Sequence, residues 1–211
     1  MAAKGVAGAC ISYRLSGQAT WPAALHDSKE AVRWLRGNAR VLGIDPDHVA
    51  AVGSSAGGHL AALLGVTGGD PQFEGAGASR QFSSRVTAVV ALNPVLDLED
   101  MPNSGGNIAR FLGKGCGEAP GLCREASPIS HVSHSAPPFL ILHGTADATV
   151  PYWQAEEMVR KLRQAGVQAE LYTAKDAPHT FWASREWYEP VLKAIQEFLQ
   201  KRLSERQQPP R

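Results

Sequence analysis

The chain has 211 residues, of which 44% are hydrophobic and 19% charged, and its formal net charge is +1. These values are ordinary for a single globular domain, and a domain of this length buries enough of its surface, roughly 70%, to fold without a metal or a disulfide. The near-neutral charge argues against nucleic acid as a partner, and no apolar run approaches the roughly 20 residues that span a bilayer.

Short apolar runs alternate along the chain with longer segments of helical periodicity. This alternation predicts an α/β fold, in which parallel strands carry helices on both faces of the sheet. Pro22 suits the first turn of the first predicted helix, and Gly43 suits its end. The predicted strands cover residues 6–13, 49–53, 86–92, 139–143 and 168–173. The predicted helices cover residues 22–42, 56–67, 152–165 and 184–203.

We interpret residues 1–203 as one catalytic domain and residues 204–211 as a disordered tail. Cys10 lies inside the first apolar run and is expected in the core. Cys116 and Cys123 bracket a short loop, where two free thiols and a disulfide are both compatible with the spacing.

A nucleophile motif follows the second predicted strand. Gly53, Ser55 and Gly57 fit the pattern G-x-S-x-G, with a strand before it and a helix after it. This context predicts Ser55 as a nucleophile on a sharp turn, where side chains two residues to either side would collide with the turn. The N–H group of Ala56 is the expected oxyanion donor. Ser54 is a second hydroxyl, off-centre in the motif, and a tight turn without catalytic function is the alternative.

A serine nucleophile needs a base, and the base needs an acid that orients it. Asp147 follows the strand 139–143, and His179 follows the strand 168–173. The carboxyl ends of parallel strands share one edge of the sheet, so the three groups are expected to converge there. Asp97, after the strand 86–92, is the rival for the acid.

Other histidines and one loop are further candidates for a functional role. His131 and His134 have the spacing of metal ligands, but no carboxylate or thiol partner is obvious, so neither a metal nor a cofactor is predicted. His59 is expected to face away from Ser55, and His143 is expected to bond to backbone. The loop 103–126 either walls the substrate pocket or lies free on the surface, and Phe181 and Trp182 either line the pocket or belong to the core.

Seven stretches carry a resemblance to a known family. They are Ser12-Tyr13-Arg14-Leu15-Ser16, Trp34-Leu35-Arg36-Gly37-Asn38-Ala39, Gly43-Ile44-Asp45-Pro46, residues 53–61, Ala126-Ser127-Pro128-Ile129, Pro137-Pro138-Phe139 and His143-Gly144-Thr145-Ala146-Asp147. Together they resemble bacterial acetyl-esterase and feruloyl-esterase-like α/β hydrolases, which are relatives of the hormone-sensitive-lipase group. The resemblance runs from about residue 5 to about residue 203.

The resemblance implies a fold, a site and a reaction. The fold is that of the α/β hydrolases, with Ser55, Asp147 and His179 as the catalytic triad and Ala56 as one oxyanion donor. The implied activity is hydrolysis of acetyl, feruloyl or other short acyl esters of small molecules, without a cofactor. A catalytically impaired remnant or interaction subunit, and an amidase or peptidase of the same fold, are the alternatives.

One element of the family pattern is missing from this sequence. The family carries a His-Gly-Gly-Gly-Trp-like loop upstream of the Ser-Tyr-Arg-Leu run, and this chain begins after that loop and after the first strands. Three explanations of the missing loop and strands stay open. The native protein is longer, or the domain is shortened and a rearranged strand or a homo-oligomer completes its sheet, or the chain is an inactive remnant.

Overall fold

The computed structural model describes residues 5–101 and 105–204 of the chain. Within these residues four parallel strands form one sheet in the order β1-β2-β3-β4. The strands are β1 (Ala50–Ser54), β2 (Ala88–Leu92), β3 (Phe139–Gly144) and β4 (Ala169–Ala174). The helices are α1 (Ala23–Gly37), α2 (Ala39–Leu42), α3 (Ala56–Val66), α4 (Gly105–Leu112), α5 (Pro120–Glu125), α6 (Trp153–Gln164) and α7 (Arg185–Ser204).

Both faces of the sheet are buried, as the sequence predicts. In β2, Val89 and Ala91 contribute to a core that also contains residues of α1, α3 and α6, whereas Val90 and Leu92 point into a second core against α7. This alternation follows from the two-residue period of a strand. Because both faces are covered, the carboxyl edge of the sheet is left as the place where loops meet.

The prediction of a strand at residues 6–13 is wrong. This segment has no strand structure, most of its residues are exposed, and Cys10, expected in the core, is exposed as well. A strand needs a neighbour for its backbone hydrogen bonds, and in the described residues β1 pairs only with β2. The residue that follows this segment is attached to α1, where the Arg14 guanidinium donates to the Asp27 carboxylate over 2.7 Å.

Two further predictions change in the structure. The predicted helix at 22–42 is interrupted at Asn38, which separates α1 from α2. The predicted loop 103–126 contains the helices α4 and α5, and a disulfide joins Cys116 to Cys123 with their Cα atoms 5.4 Å apart. Across residues 5–101 and 105–204, no helix has both the length and the apolar character of a membrane span. The single catalytic domain stays a prediction, and residues 205–211 of the predicted tail lie outside the described part.

A cluster of buried charges fastens α1 to the segment before β2. The side chains of Lys29 and Arg33 are almost entirely buried, and both donate to the carboxylate of Glu74, over 2.8 and 2.6 Å. Ser84 donates to the same carboxylate over 2.6 Å. Burial opposes ionisation of Glu74, but the hydrogen bonds and charges of these neighbours outweigh it, so its pKa is lowered. Glu74 is therefore the shared anion of two buried cations.

We expect Glu74→Gln to lower the free energy of unfolding by about 3–5 kcal/mol, because it leaves the buried Lys29 without its ion-pair partner and the buried Arg33 paired with Glu30 alone. The measurement is urea unfolding followed by circular dichroism. Folding lowers the pKa of Glu74, so its contribution is complete above its ordinary value of 4.5 and is lost as the pH falls through the folded pKa. The free energy of unfolding of Glu74→Gln should therefore fall less on acidification than that of the wild type.

The matched control is Glu197→Gln, which breaks an ion pair whose two side chains are 75% and 67% exposed. It should cost less than about 0.5 kcal/mol. Equal effects of the two substitutions would contradict the structural importance assigned to Glu74.

Candidate active site

Ser55 lies on the turn that joins β1 to α3. Its φ is +54° and its ψ is −117°, a conformation that costs energy for any residue with a Cβ atom. The turn is held from both sides: the N–H of Ser55 donates to the Leu92 carbonyl over 2.9 Å, and its carbonyl accepts from the N–H of His59 over 2.9 Å. The strained turn thus places the Ser55 hydroxyl at the carboxyl edge of the sheet.

The two glycines of the motif have different environments. A Cβ atom on Gly53 would collide with the carbonyl group of Gly57, so the steric expectation for Gly53 is confirmed. A Cβ atom on Gly57 would meet no atom within 4 Å apart from its chain neighbours and the backbone of its own helix, so the same expectation for Gly57 is wrong. Gly57 lies in the first turn of α3, where its Cα atom faces open space.

We expect Gly53→Ala to destabilise the fold by about 1–3 kcal/mol and to displace the Ser55 turn, because the obstacle is backbone that cannot rotate away. Gly57→Ala should leave stability unchanged or raise it by up to about 1 kcal/mol, since alanine favours a helix. Thermal unfolding of both variants distinguishes these outcomes. Equal tolerance of the two alanines would contradict the packing described for Gly53.

The side chains of Ser55, His179 and Asp147 form one hydrogen-bonded chain. The Nε2 atom of His179 lies 2.9 Å from the Ser55 Oγ atom, and its Nδ1 atom lies 2.7 Å from the Asp147 Oδ2 atom. The Asp147 side chain is fully buried, and that of His179 is 17% exposed. The sequence-predicted residues from three strand ends therefore meet at one point.

The carboxylate of Asp147 is held ionised by its neighbours. The N–H groups of Thr149 and Val150 donate to its Oδ1 atom over 2.8 and 2.9 Å, and the His143 Nε2 atom lies 3.1 Å from its Oδ2 atom. Burial opposes ionisation, but the hydrogen bonds from His143, His179 and the two backbone groups outweigh it, and the pKa of Asp147 falls well below its usual range. A fixed negative charge thus faces the His179 ring.

Two histidines take the places predicted for them. His143 is fully buried, and its Nε2 atom lies 3.0 Å from the Val150 carbonyl, which confirms its bond to backbone. His59 is also buried, and its Nδ1 atom lies 2.9 Å from the Val95 carbonyl, away from Ser55. Burial lowers the pKa of His59 to about 4, so this ring is neutral at pH 7.

The rival residues make other contacts. The carboxylate of Asp97 accepts from the N–H of Glu99 over 3.0 Å, and the Nε2 atom of His131 lies 2.7 Å from the Glu125 carbonyl. In residues 5–101 and 105–204, no group of three or more His, Cys, Asp or Glu side chains is arranged to hold a metal ion.

Ala56 is the first residue of α3, where N–H groups have no partner inside the helix. Its N–H group is therefore available at the nucleophile turn. A cavity of about 710 Å³ lies at the opposite edge of the sheet, among residues that precede β1, β2 and β3, and is remote from this point.

Sequence reasoning missed one residue of the site. Asn93 is fully buried, and its amide nitrogen lies 3.2 and 3.4 Å from the two ring nitrogens of His179. The available signal was its position directly after β2, at the edge where the other site residues follow their strands.

Comparisons with known proteins found a matching family model and similar esterases. The model of the BD-FAE family matches residues 1–162. Esterase LipQ of Mycobacterium tuberculosis is 37% identical over 199 residues, which cover 90% of this chain and 46% of LipQ. The chain spans about half the length of the curated relatives it matches.

Two solved structures are similar over most of the chain. A truncated form of a carbohydrate esterase from gut microbiota has a TM-score of 0.85 and 30% identity, covering 92% of this chain and 73% of that one. Butyrate-bound esterase 2 of Thermogutta terrifontis has a TM-score of 0.75 and 30% identity, covering 90% of this chain and 70% of that one.

Proposed function

The chain belongs to the BD-FAE family, and on that premise we propose that it is a serine carboxylesterase acting on short-chain acyl esters. Its fold is that of the α/β hydrolases, as the sequence predicted. The observation that carries the proposal is the hydrogen-bonded chain from Ser55 through His179 to Asp147.

The proposed reaction is acyl transfer in two steps. His179 takes the proton of the Ser55 hydroxyl as the oxygen attacks the ester carbonyl, and it returns that proton to the leaving alcohol. Water then attacks the acyl-enzyme with the same histidine as base, which frees the carboxylic acid and restores Ser55. The buried charge of Asp147 holds the His179 ring in the tautomer that accepts at Nε2 and stabilises the ring when it is protonated.

The proposed oxyanion donor is the N–H group of Ala56. It follows the nucleophile directly and lies at the positive end of the α3 dipole, where a developing negative charge is stabilised. One donor of this type typically contributes about 100- to 1000-fold in turnover.

Two similar solved structures support short acyl groups as substrates. Esterase 2 of Thermogutta terrifontis binds butyrate, and another relative is named a carbohydrate esterase. Butyrate is a short acyl group, and a carbohydrate supplies the alcohol of an ester. We propose acetyl or butyryl esters as substrates, with feruloyl-type esters of carbohydrates as a second group.

The experiment is hydrolysis of p-nitrophenyl acetate, butyrate, octanoate and dodecanoate by the purified chain, with p-nitroacetanilide as the amide counterpart. The proposal expects the highest kcat/KM on acetate or butyrate and little turnover of the anilide. Preference for the anilide would favour an amidase instead. A folded chain that hydrolyses none of these esters would contradict esterase function and favour a catalytically impaired remnant of a hydrolase.

A further inference from the structure

Three polar residues around the site have no part in the proton transfers proposed above. Ser54 precedes the nucleophile, Asn93 follows β2, and Trp182 lies three residues after His179. They come from three separate segments of the chain, yet they form one connected group.

Hydrogen bonds link these three side chains in a fixed order. The indole N–H of Trp182 donates to the Ser54 hydroxyl oxygen over 3.0 Å, and the Ser54 hydroxyl lies 3.4 Å from the Asn93 Oδ1 atom, to which it donates. Because Oδ1 is the acceptor, the amide nitrogen of Asn93 is turned the other way, toward His179.

The Asn93 amide contacts the His179 ring near both of its nitrogens. Its nitrogen is almost equidistant from the two ring nitrogens, at 3.2 and 3.4 Å. Both ring nitrogens already have partners, Ser55 at Nε2 and Asp147 at Nδ1. A nitrogen in the ring plane at these distances would collide with the carbon between the two ring nitrogens, so the amide lies out of that plane, where it restricts tilting of the imidazole rather than replacing either partner.

The backbone fixes the Asn93 side chain in this place. Asn93 has a φ of +39°, in the left-handed region that asparagine tolerates better than most residues, and its N–H donates to the Leu142 carbonyl over 2.7 Å. The side chain is fully buried, so it cannot rotate into solvent. The turn after β2 thus presents a rigid amide to the catalytic ring.

We propose that Asn93, held by Ser54 and Trp182, is a positioning residue that keeps the His179 ring aligned between Ser55 and Asp147. This inference rests on the proposed serine esterase function. Trp182, whose place in the pocket or the core was open from the sequence, ties the loop that carries His179 to the nucleophile turn. Ser54 connects that loop to Asn93.

The decisive variant is Asn93→Gly, which keeps the left-handed turn and removes the side chain that carries the amide. We expect kcat to fall by about 10- to 100-fold, because a catalytic group that is displaced by up to about 1 Å loses activity on this scale. KM should stay within about threefold of the wild-type value. If asparagine were present only for its φ, glycine would serve equally well, and an unchanged kcat would overturn the proposal.

A double-mutant cycle tests the chain of hydrogen bonds. Trp182→Phe should lower kcat by about three- to tenfold, and this loss should vanish in a Ser54→Ala background, because the contact acts through Ser54. Trp187→Phe is the matched control, since Trp187 packs against Tyr172 and Phe181 on the α7 side, and it should leave kcat unchanged. A loss that persists in the Ser54→Ala background would overturn the proposed route.

A readout that needs no turnover separates this inference from the esterase proposal. In proton NMR of ¹⁵N-histidine-labelled protein, the His179 Nδ1 proton, held by Asp147, should exchange with water faster in Asn93→Gly than in the wild type. Equal exchange would overturn the positioning role even if the wild type hydrolyses esters. Faster exchange would support it even if no ester is hydrolysed.

Discussion

Ser55→Ala is expected to lower kcat of ester hydrolysis by about 10⁴- to 10⁶-fold, because it removes the only atom that forms the acyl-enzyme in the proposed mechanism. Ser55 has no other structural hydrogen bond through its hydroxyl than the one to His179 among the described residues. The fold should therefore survive the change, and circular dichroism with thermal unfolding checks that it does.

Ser135→Ala is the control for this substitution. Ser135 is an exposed serine before β3, at the opposite edge of the sheet, and its loss should leave kcat within about twofold. Retained activity in a folded Ser55→Ala protein would show that another residue attacks the ester.

Asp147→Asn is expected to lower kcat by about 10⁴-fold, through the tautomer of His179. The N–H groups of Thr149 and Val150 both donate to the Oδ1 atom of Asp147. In the variant they select the amide oxygen for that position, so the amide NH₂ group must face His179. The ring then presents an acceptor at Nδ1 and carries its proton at Nε2, where it cannot accept the proton of Ser55.

A matched variant sharpens this test. Asp97→Asn removes the rival carboxylate, which bonds only to the N–H of Glu99 among the contacts described for it, and should leave kcat within about threefold. If Asp97→Asn lost activity and Asp147→Asn kept it, Asp97 rather than Asp147 would be the acid that orients His179.

Local pattern was sufficient to predict most elements of the sheet and the residues that meet at its edge. The strand-turn-helix context around Ser55 fixes its place, and Asp147 and His179 each follow a buried strand, so parallel pairing alone brings them near it. Their short distances need the loops to close correctly, which the sequence does not specify.

The failures share a physical cause, which is dependence on distant partners. Residues 6–13 have the composition of a strand, but a strand forms only where a neighbouring strand shares its backbone hydrogen bonds. In the described chain β1 pairs only with β2, and residues 6–13 pair with no strand. The contact of Asn93 with His179 joins residues 86 positions apart, and no periodicity in either segment indicates it. The spacing of Cys116 and Cys123 was equally compatible with free thiols until the fold of α5 brought their Cα atoms within 5.4 Å.

Covalent labelling is the most direct test of whether Ser55 is the nucleophile. A fluorophosphonate loses fluoride as a serine oxygen attacks its phosphorus, and mass spectrometry of the digested protein locates the stable adduct. We expect one adduct per chain, on the peptide that contains Ser55, and none in the folded Ser55→Ala protein. A folded wild-type chain that stays unlabelled, or that carries its label on another residue, would contradict this expectation.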